Sequence, residues 1–157
     1  MRNARNWYLY CLLVFLVNVI AVILTYFVVG MKIAAPFLFF AVLFGFASAI
    51  LLHRKEDTHI GDAIEESNKW CLLLAAIAIL YAIIVGIRCA FLLRNGSSCI
   101  ENGLYYLTYR GKLIRQITAE EYRSLSLVEG RLFLSGLLPF TAFALVFHSG
   151  RKNMYTF

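Results

Sequence analysis

The stretch WCLLLAAIAILYAIIVGIRCAFLL, residues 70–93, decides what kind of protein this chain forms. It holds 24 residues, and Arg88 is its only charged member. The hydrocarbon core of a bilayer is about 30 Å thick, and a helix needs about 20 apolar residues to cross it. The stretch therefore predicts a membrane-spanning helix.

Three more apolar segments surround this stretch in the chain, at residues 7–29, 33–52 and 132–147. The first two are long enough to span a bilayer. The last has only 16 residues and contains Pro139, and as a helix it rises about 24 Å. It spans the bilayer only if its helix begins in the preceding polar segment, with the Arg131 side chain extending to the membrane–water interface.

The composition agrees with four spans. Hydrophobic residues make up 61% of the 157, charged residues only 15%, and the mean hydropathy is +0.74. A soluble domain of this size is usually about half apolar and cannot bury such an excess in one core. We therefore predict an all-α membrane protein with a single integral domain, residues 1–157. Its expected architecture is a four-transmembrane-helix bundle.

Two polar loops separate the later spans. In residues 53–69, Ile60, Ala63 and Ile64 have helical spacing, which predicts an amphipathic extension of the third helix. In residues 94–131, the β-rich run 104–109 and the run 112–117 flank a turn at 110–111, which predicts a β-hairpin. Thr118 with Glu121 forms a capping box, so a helix should follow the hairpin and continue into the last span.

The charges favour one orientation only weakly. With the N-terminus inside, seven Lys and Arg residues fall on each side of the membrane, so the positive-inside rule ties. The first span usually dominates, and Arg2 and Arg5 precede it. Together with Arg151 and Lys152, this favours both termini in the cytoplasm and residues 94–131 outside.

Small residues recur every fourth position on the second and third spans. Such stripes let two helix backbones approach closely in lipid. We expect these two spans to pack on each other, and a homodimer interface is the alternative. The stripes are Ala41, Gly45 and Ala49 on the second span, and Ala78, Ala82, Gly86 and Ala90 on the third.

Polar residues inside the spans are few. Asn18 is suited to a hydrogen bond between helices, and Arg88 to anchoring at the interface. No Asp or Glu lies in any of the four spans, which disfavours a proton-coupled transporter.

The sequence carries no recognisable catalytic or metal-binding motif. His53 and His59 do not have zinc-ligand spacing, and the cysteines form no C-x-x-C pair. Cys89 and Cys99 could form a disulfide only if residues 94–131 lie outside, and we expect free thiols instead. We expect no enzyme activity, no cofactor, no metal and no nucleic-acid partner.

The layout resembles that of the immunity proteins of pore-forming colicins. The matching residues are LLRN at 92–95, YYLTYRGKLIRQITAEEY at 105–122 and LFLSGLLPFTAF at 132–143, which are similar to the third loop and last span of the colicin A type. The acidic loop at 53–69 departs from that type. Small phage superinfection-exclusion and secretion-system immunity proteins share the same layout.

The resemblance implies a bacterial inner-membrane protein that blocks the pore domain of a toxin through lateral helix–helix recognition. We therefore expect a non-enzymatic protein that acts by recognition in immunity or phage exclusion, in contact with lipid and with a protein partner. A small channel, a transporter or an accessory subunit of a membrane complex is the alternative. The expected contact residues are Tyr105, Tyr109, Arg110, Lys112, Arg115, Glu120, Glu121 and Tyr122.

Overall fold

The structure, a computed structural model, describes residues 2–28, 35–56 and 60–154. Position 29 and residues 33–34, at the facing ends of the first two predicted spans, lie outside these ranges, as do Asp57 and His59. In chain order the elements are α1 (Arg2–Leu24), α2 (Ala35–Glu56), α3 (Ile60–Glu65), α4 (Lys69–Leu92), β1 (Ser97–Glu101), β2 (Leu104–Tyr109), β3 (Lys112–Gln116) and α5 (Ala119–Met154).

Helix α5 is the centre of the bundle. The helices α1, α2, α3 and α4 all pack against it. Its residues Leu134, Leu145 and His148 are among the most deeply buried side chains in the described part of the chain. The described residues contain three helices long and apolar enough to cross a membrane: α1, α4 and α5. The described apolar part of α2, Ala35–Leu51, is shorter.

The last helix is long because its polar start and its apolar end are continuous. It has 36 residues, which corresponds to about 54 Å. Thr118 caps it as predicted, since its Oγ1 accepts the Glu121 backbone N–H at 3.1 Å. Pro139 lies within the helix and does not end it. The segment that was too short as an isolated run therefore meets the length of a span.

The predicted hairpin is confirmed, but it belongs to a larger sheet. Strand β2 pairs with β3 on one side and with β1 on the other, all antiparallel. The sequence analysis missed β1. Its turn to β2 is Asn102-Gly103, where both residues have positive φ. An Asn-Gly pair of this kind is a strong hairpin signal, so the strand was predictable.

The sheet is fixed to the first three turns of α5, and residues 97–130 are called the outer module below. Leu107, Ile117 and Val128 are buried. The Ser98 backbone N–H donates to the Glu129 carboxylate, and the rings of Tyr105 and Tyr122 lie 4.6 Å apart. The loop therefore forms a folded extension of the bundle.

Two of the predictions made from the sequence are wrong, and a third is confirmed. The amphipathic turn is not an extension of the third span: α3 ends at Glu65, and Asn68 starts α4 afresh by accepting the Trp70 backbone N–H. The second and third spans do not pack chiefly on each other, because both pack on α5. All four cysteines are free, as expected, so Cys89 and Cys99 form no disulfide.

Candidate functional site

The outer module places the eight predicted contact residues in two different roles. Four of them hold the module together. The Tyr105 and Tyr122 rings stack between the sheet and α5. Arg115 on β3 forms a two-pronged ion pair with Glu121 on α5, with Nη1 3.1 Å from Oε2. These residues position the surface and are only partly available to a partner.

The other four predicted residues are exposed. Tyr109, Arg110 and Lys112 lie at the β2–β3 turn, and Glu120 lies at the start of α5. The Arg110 guanidinium lies 5.3 Å from the centre of the Tyr109 ring, which is within the range of a cation–π contact. The turn therefore presents an aromatic ring with a cation already placed on it.

A shallow depression of about 460 Å³ adjoins this turn. Arg94 gives it a basic character, since the charge of the second arginine, Arg115, is paired with Glu121. Side chains of β2 and β3 give it apolar walls. Its lining residues are Arg94, Asn95, Leu107, Tyr109, Ile114 and Arg115. Aromatic and Arg side chains carry much of the energy of protein interfaces. This depression and the Tyr109–Lys112 turn are called the basic face below.

Strand β3 forms the free edge beside the basic face. All five of its side chains are exposed, including the apolar Leu113 and Ile114. Its pairing with β2 shifts between Leu107 and Thr108, so Ile114 is an extra, bulged residue. Bulges and basic side chains on an edge strand discourage the addition of another strand. The edge therefore favours recognition through side chains.

The ion pair at this edge changes the acidity of both groups. Hydrogen bonds donated by Arg115 hold the pKa of Glu121 below its usual value, and the attraction of the opposite charge acts in the same direction. The same hydrogen bonds raise the pKa of Arg115. Both groups are exposed to solvent, so the pair contributes little to stability. Its consequence is geometric, because it fixes β3 on α5.

The small-residue stripes do not face each other. On α2, the Ala41 carbonyl accepts the Tyr10 hydroxyl at 2.9 Å, and a Cβ built at Gly45 would lie 3.5 Å from Cys11 Sγ. That stripe therefore meets α1. Ala49 lies in a small buried cluster with Phe147.

On α4, the small-residue stripe turns gradually away from the bundle. Ala78 is buried, Ala82 and Gly86 are half-buried, and Ala90 is exposed. Among the described residues, no atom lies within 4 Å of a Cβ built at Gly86. The fully buried residues of α4 are Cys71, Ala78, Val85 and Cys89, and they lie on the side of the helix that faces the bundle.

Asn18 and Arg88, the two polar residues in the spans for which a role was predicted, have opposite surroundings. Asn18 is completely buried, and neither atom of its amide has a hydrogen-bond partner within the described residues. Arg88 is exposed on the outside of α4, one turn before the helix ends at Leu92.

The basic face contains residues that were not predicted from the sequence as contact residues, namely Arg94, Asn95, Leu107 and Ile114. Sequence pattern gives Ile114 no special status, because the bulge that leaves it unpaired depends on how β3 pairs with β2. Another missed position is Gly96, whose φ is +133° and where a Cβ would lie 2.3 Å from the Thr108 carbonyl oxygen. Glycine is therefore required for the chain to enter β1 beside β2.

No group of three or more metal-binding side chains occurs within residues 2–28, 35–56 and 60–154. Comparisons of the chain with protein families, with curated proteins and with solved structures give no match.

Proposed function

We propose that this chain is a non-enzymatic, multi-pass inner-membrane protein that acts by recognising a protein partner. Its proposed role is immunity against a pore-forming or membrane-targeted toxin, or exclusion of a phage. The observation that carries the proposal is the basic face, which is built on a module fixed to the central helix of the bundle.

The module has the features of a rigid recognition surface. It is attached to α5 by the Ser98–Glu129 hydrogen bond, the Tyr105–Tyr122 ring contact and the Arg115–Glu121 ion pair. Rigid presentation lowers the entropy that a surface loses on binding. The exposed Tyr109, Lys112 and Ile114 side chains make no contribution to a buried core. They are therefore available for contact with a partner.

The chemistry of the face defines the partner. Arg94 and Arg115 line the depression, while Arg110 and Lys112 flank it at the turn. A complementary partner carries acidic side chains around an apolar or aromatic residue that enters the depression. The proposed partner is therefore a protein with an acidic and apolar patch close to the membrane surface.

The experiment is a protection assay in bacteria. Cells expressing the chain are challenged with a panel of pore-forming toxins and phages, and survival is compared with that of cells carrying an empty vector. We expect at least one member of the panel to be blocked. The double variant Tyr109→Ser with Lys112→Glu should lose protection while reaching the same level in the membrane, whereas the exposed control Arg123→Gln on α5 should keep it. Equal killing across a broad panel would reject the proposal.

A small channel, transporter or accessory subunit is the second candidate, and Asn18 favours it. A fully buried amide with no partner in the described residues is costly in lipid, and such groups often lie on pathways for polar solutes. The discriminating measurement is ion flux in liposomes that contain the purified chain. Flux that falls in Asn18→Leu and persists in the control Ser124→Ala would favour this candidate over recognition.

A further inference from the structure

A long apolar groove runs between α1 and α4 on the outside of the bundle. Both helices pack on α5, and Leu138 of α5 lies at the floor of the space between them. Its volume is about 510 Å³. Hydrocarbon side chains such as Phe15, Val19 and Ile77 form its walls, and its polar groups are two tyrosine hydroxyls at one end.

The polar end of the groove is an arrangement of Tyr26, Tyr81 and Arg131. The two tyrosine oxygens lie 3.1 Å apart. Only one proton can lie between them, so the second hydroxyl retains a proton that it can donate to a third group. The pair therefore lies at one end of the groove and keeps one hydroxyl proton for a further acceptor.

Arg131 adds a positive charge to this end. Its guanidinium lies 3.7 Å from the centre of the Tyr26 ring, and Nη2 donates to the Thr25 carbonyl at 3.4 Å. Its Nε has no hydrogen-bond partner among the described residues. A ring and a carbonyl carry no full negative charge, so the cation is held in place without being neutralised by them. An anion beside the guanidinium neutralises this charge.

The cluster lies near the ends of the apolar segments of α1 and α5, where a span would meet the edge of a bilayer. Thr25 follows the last residue of α1, and Arg131 immediately precedes the apolar run of α5. The rest of the groove extends down α1 as far as Leu12. A molecule that fits has a hydrocarbon part along the spans and an anionic part where the apolar runs of α1 and α5 meet the polar module.

The length and the lining of the groove suit a hydrocarbon chain. The step from Leu12 to Tyr26 is about 21 Å along α1, and the side chains that line the groove are apolar apart from the two tyrosine hydroxyls. An acyl chain lying along this surface contacts hydrocarbon only, and the charge of Arg131 at one end calls for an anionic group there.

We propose that the groove between α1 and α4 binds one acyl chain of an anionic phospholipid, whose phosphate is held by Arg131 and by the free hydroxyl proton of the Tyr26–Tyr81 pair. This site is separate from the basic face and does not depend on the function proposed for it. The complementarity between a hydrocarbon groove and a cation at its end, which no carboxylate of the described residues pairs with, carries the assignment.

The test measures lipid retained by the full chain. The purified protein is exchanged into detergent micelles containing equal amounts of phosphatidylglycerol and phosphatidylcholine, and bound lipids are counted by native mass spectrometry. We expect one tightly retained lipid, with phosphatidylglycerol favoured at least fivefold. Arg131→Gln should reduce that preference to the mixing ratio, whereas the exposed control Arg123→Gln should leave it unchanged.

Further variants separate the two parts of the site and guard against misfolding. Ile77→Trp blocks the groove from an exposed position and should abolish retention of both lipids. The control Ile83→Trp, at a similarly exposed position outside the groove, should not. Arg131→Lys keeps the charge and should restore much of the preference, which a general folding defect would not do. No headgroup preference in the wild-type chain, or equal behaviour of Arg131→Gln and Arg123→Gln, would overturn the proposal.

Discussion

Helices α4 and α5 are both long and apolar enough to cross a membrane, yet they occupy opposite environments in the bundle. In the apolar window of α5, 67% of the residues are buried within the protein, against 17% for α4. The more buried helix is also the more polar one. It buries Ser135, Thr141, His148 and Ser149, whereas α4 presents mostly hydrocarbon to its surroundings.

The difference is the reverse of what a bundle in water would need. In lipid, a hydrocarbon side chain gains little by moving from the acyl chains into the protein, so hydrophobicity does not draw a helix to the centre. Polar groups, by contrast, must find partners inside. The Ser48 hydroxyl lies 3.1 Å from His148 Nε2, and the Ser149 hydroxyl accepts the Asn68 backbone N–H at 3.2 Å. Both contacts link α5 to its neighbours, as expected of a central helix.

The largest expected effect comes from truncating one leucine on each helix, which tests the difference in burial between α5 and α4 directly. Leu134 on α5 is fully buried, and Leu80 on α4 is 60% exposed. Leu134→Ala leaves a cavity and should lower the free energy of unfolding by about 2–5 kcal/mol. Leu80→Ala should change it by less than about 0.5 kcal/mol. The measurement is denaturant unfolding in detergent micelles.

Equal losses from these two substitutions would contradict the central position of α5. A larger loss for Leu80→Ala would place α4 at the centre.

A smaller effect is expected from Gly96→Ala, which tests whether the outer module unfolds independently of the helix bundle. Gly96→Ala places a Cβ against the Thr108 carbonyl at a φ that L-residues rarely adopt, which costs about 1–3 kcal/mol. Hydrogen exchange of β1 and β2 should accelerate, while exchange in α1 and α4 stays unchanged. Gly136→Ala is the control, because a Cβ at this exposed helical glycine meets no described atom within 4 Å. There alanine should be neutral or stabilising by up to about 1 kcal/mol. Acceleration throughout the bundle in Gly96→Ala would mean that the module is not a separate unit.

The sequence predicted where the helices and strands lie better than it predicted which helices pack on each other. Hydrophobic length and the Thr118 capping box located the long helices and the start of α5, and strand propensity located β2 and β3. Each of these signals is local. The Asn102-Gly103 turn was local too, so overlooking β1 was an error of interpretation and not a limit of the sequence.

The arrangement of the helices could not be predicted in the same way. Small residues on the second and third spans were compatible with several partners, and packing on α5 depends on all the helices together. The same holds for the predicted contact set. Arg115 and Tyr105 have the residue types of an interface, but their contacts with Glu121 and Tyr122 exist only after the sheet lies on α5. Residue type indicated which residues could form an interface. The tertiary structure shows which of them hold the outer module together and which are exposed to a partner.

The smallest expected effect concerns one of those supports, the Arg115–Glu121 pair that joins β3 to α5. Because Arg115 lowers the pKa of Glu121, the carboxylate is stabilised in the folded state. This contribution is complete above the unfolded pKa of about 4.3, and it is lost as the pH falls through the lower folded value. In Arg115→Gln, the NMR titration midpoint of the Glu121 carboxyl carbon should therefore rise towards that of an unpaired Glu. The exposed control Arg123→Gln should leave it unchanged. A midpoint that does not move in Arg115→Gln would show that the ion pair does not hold β3 against α5. The basic face would then be attached through the Ser98–Glu129 hydrogen bond, the tyrosine rings and the buried Leu107, Ile117 and Val128 side chains.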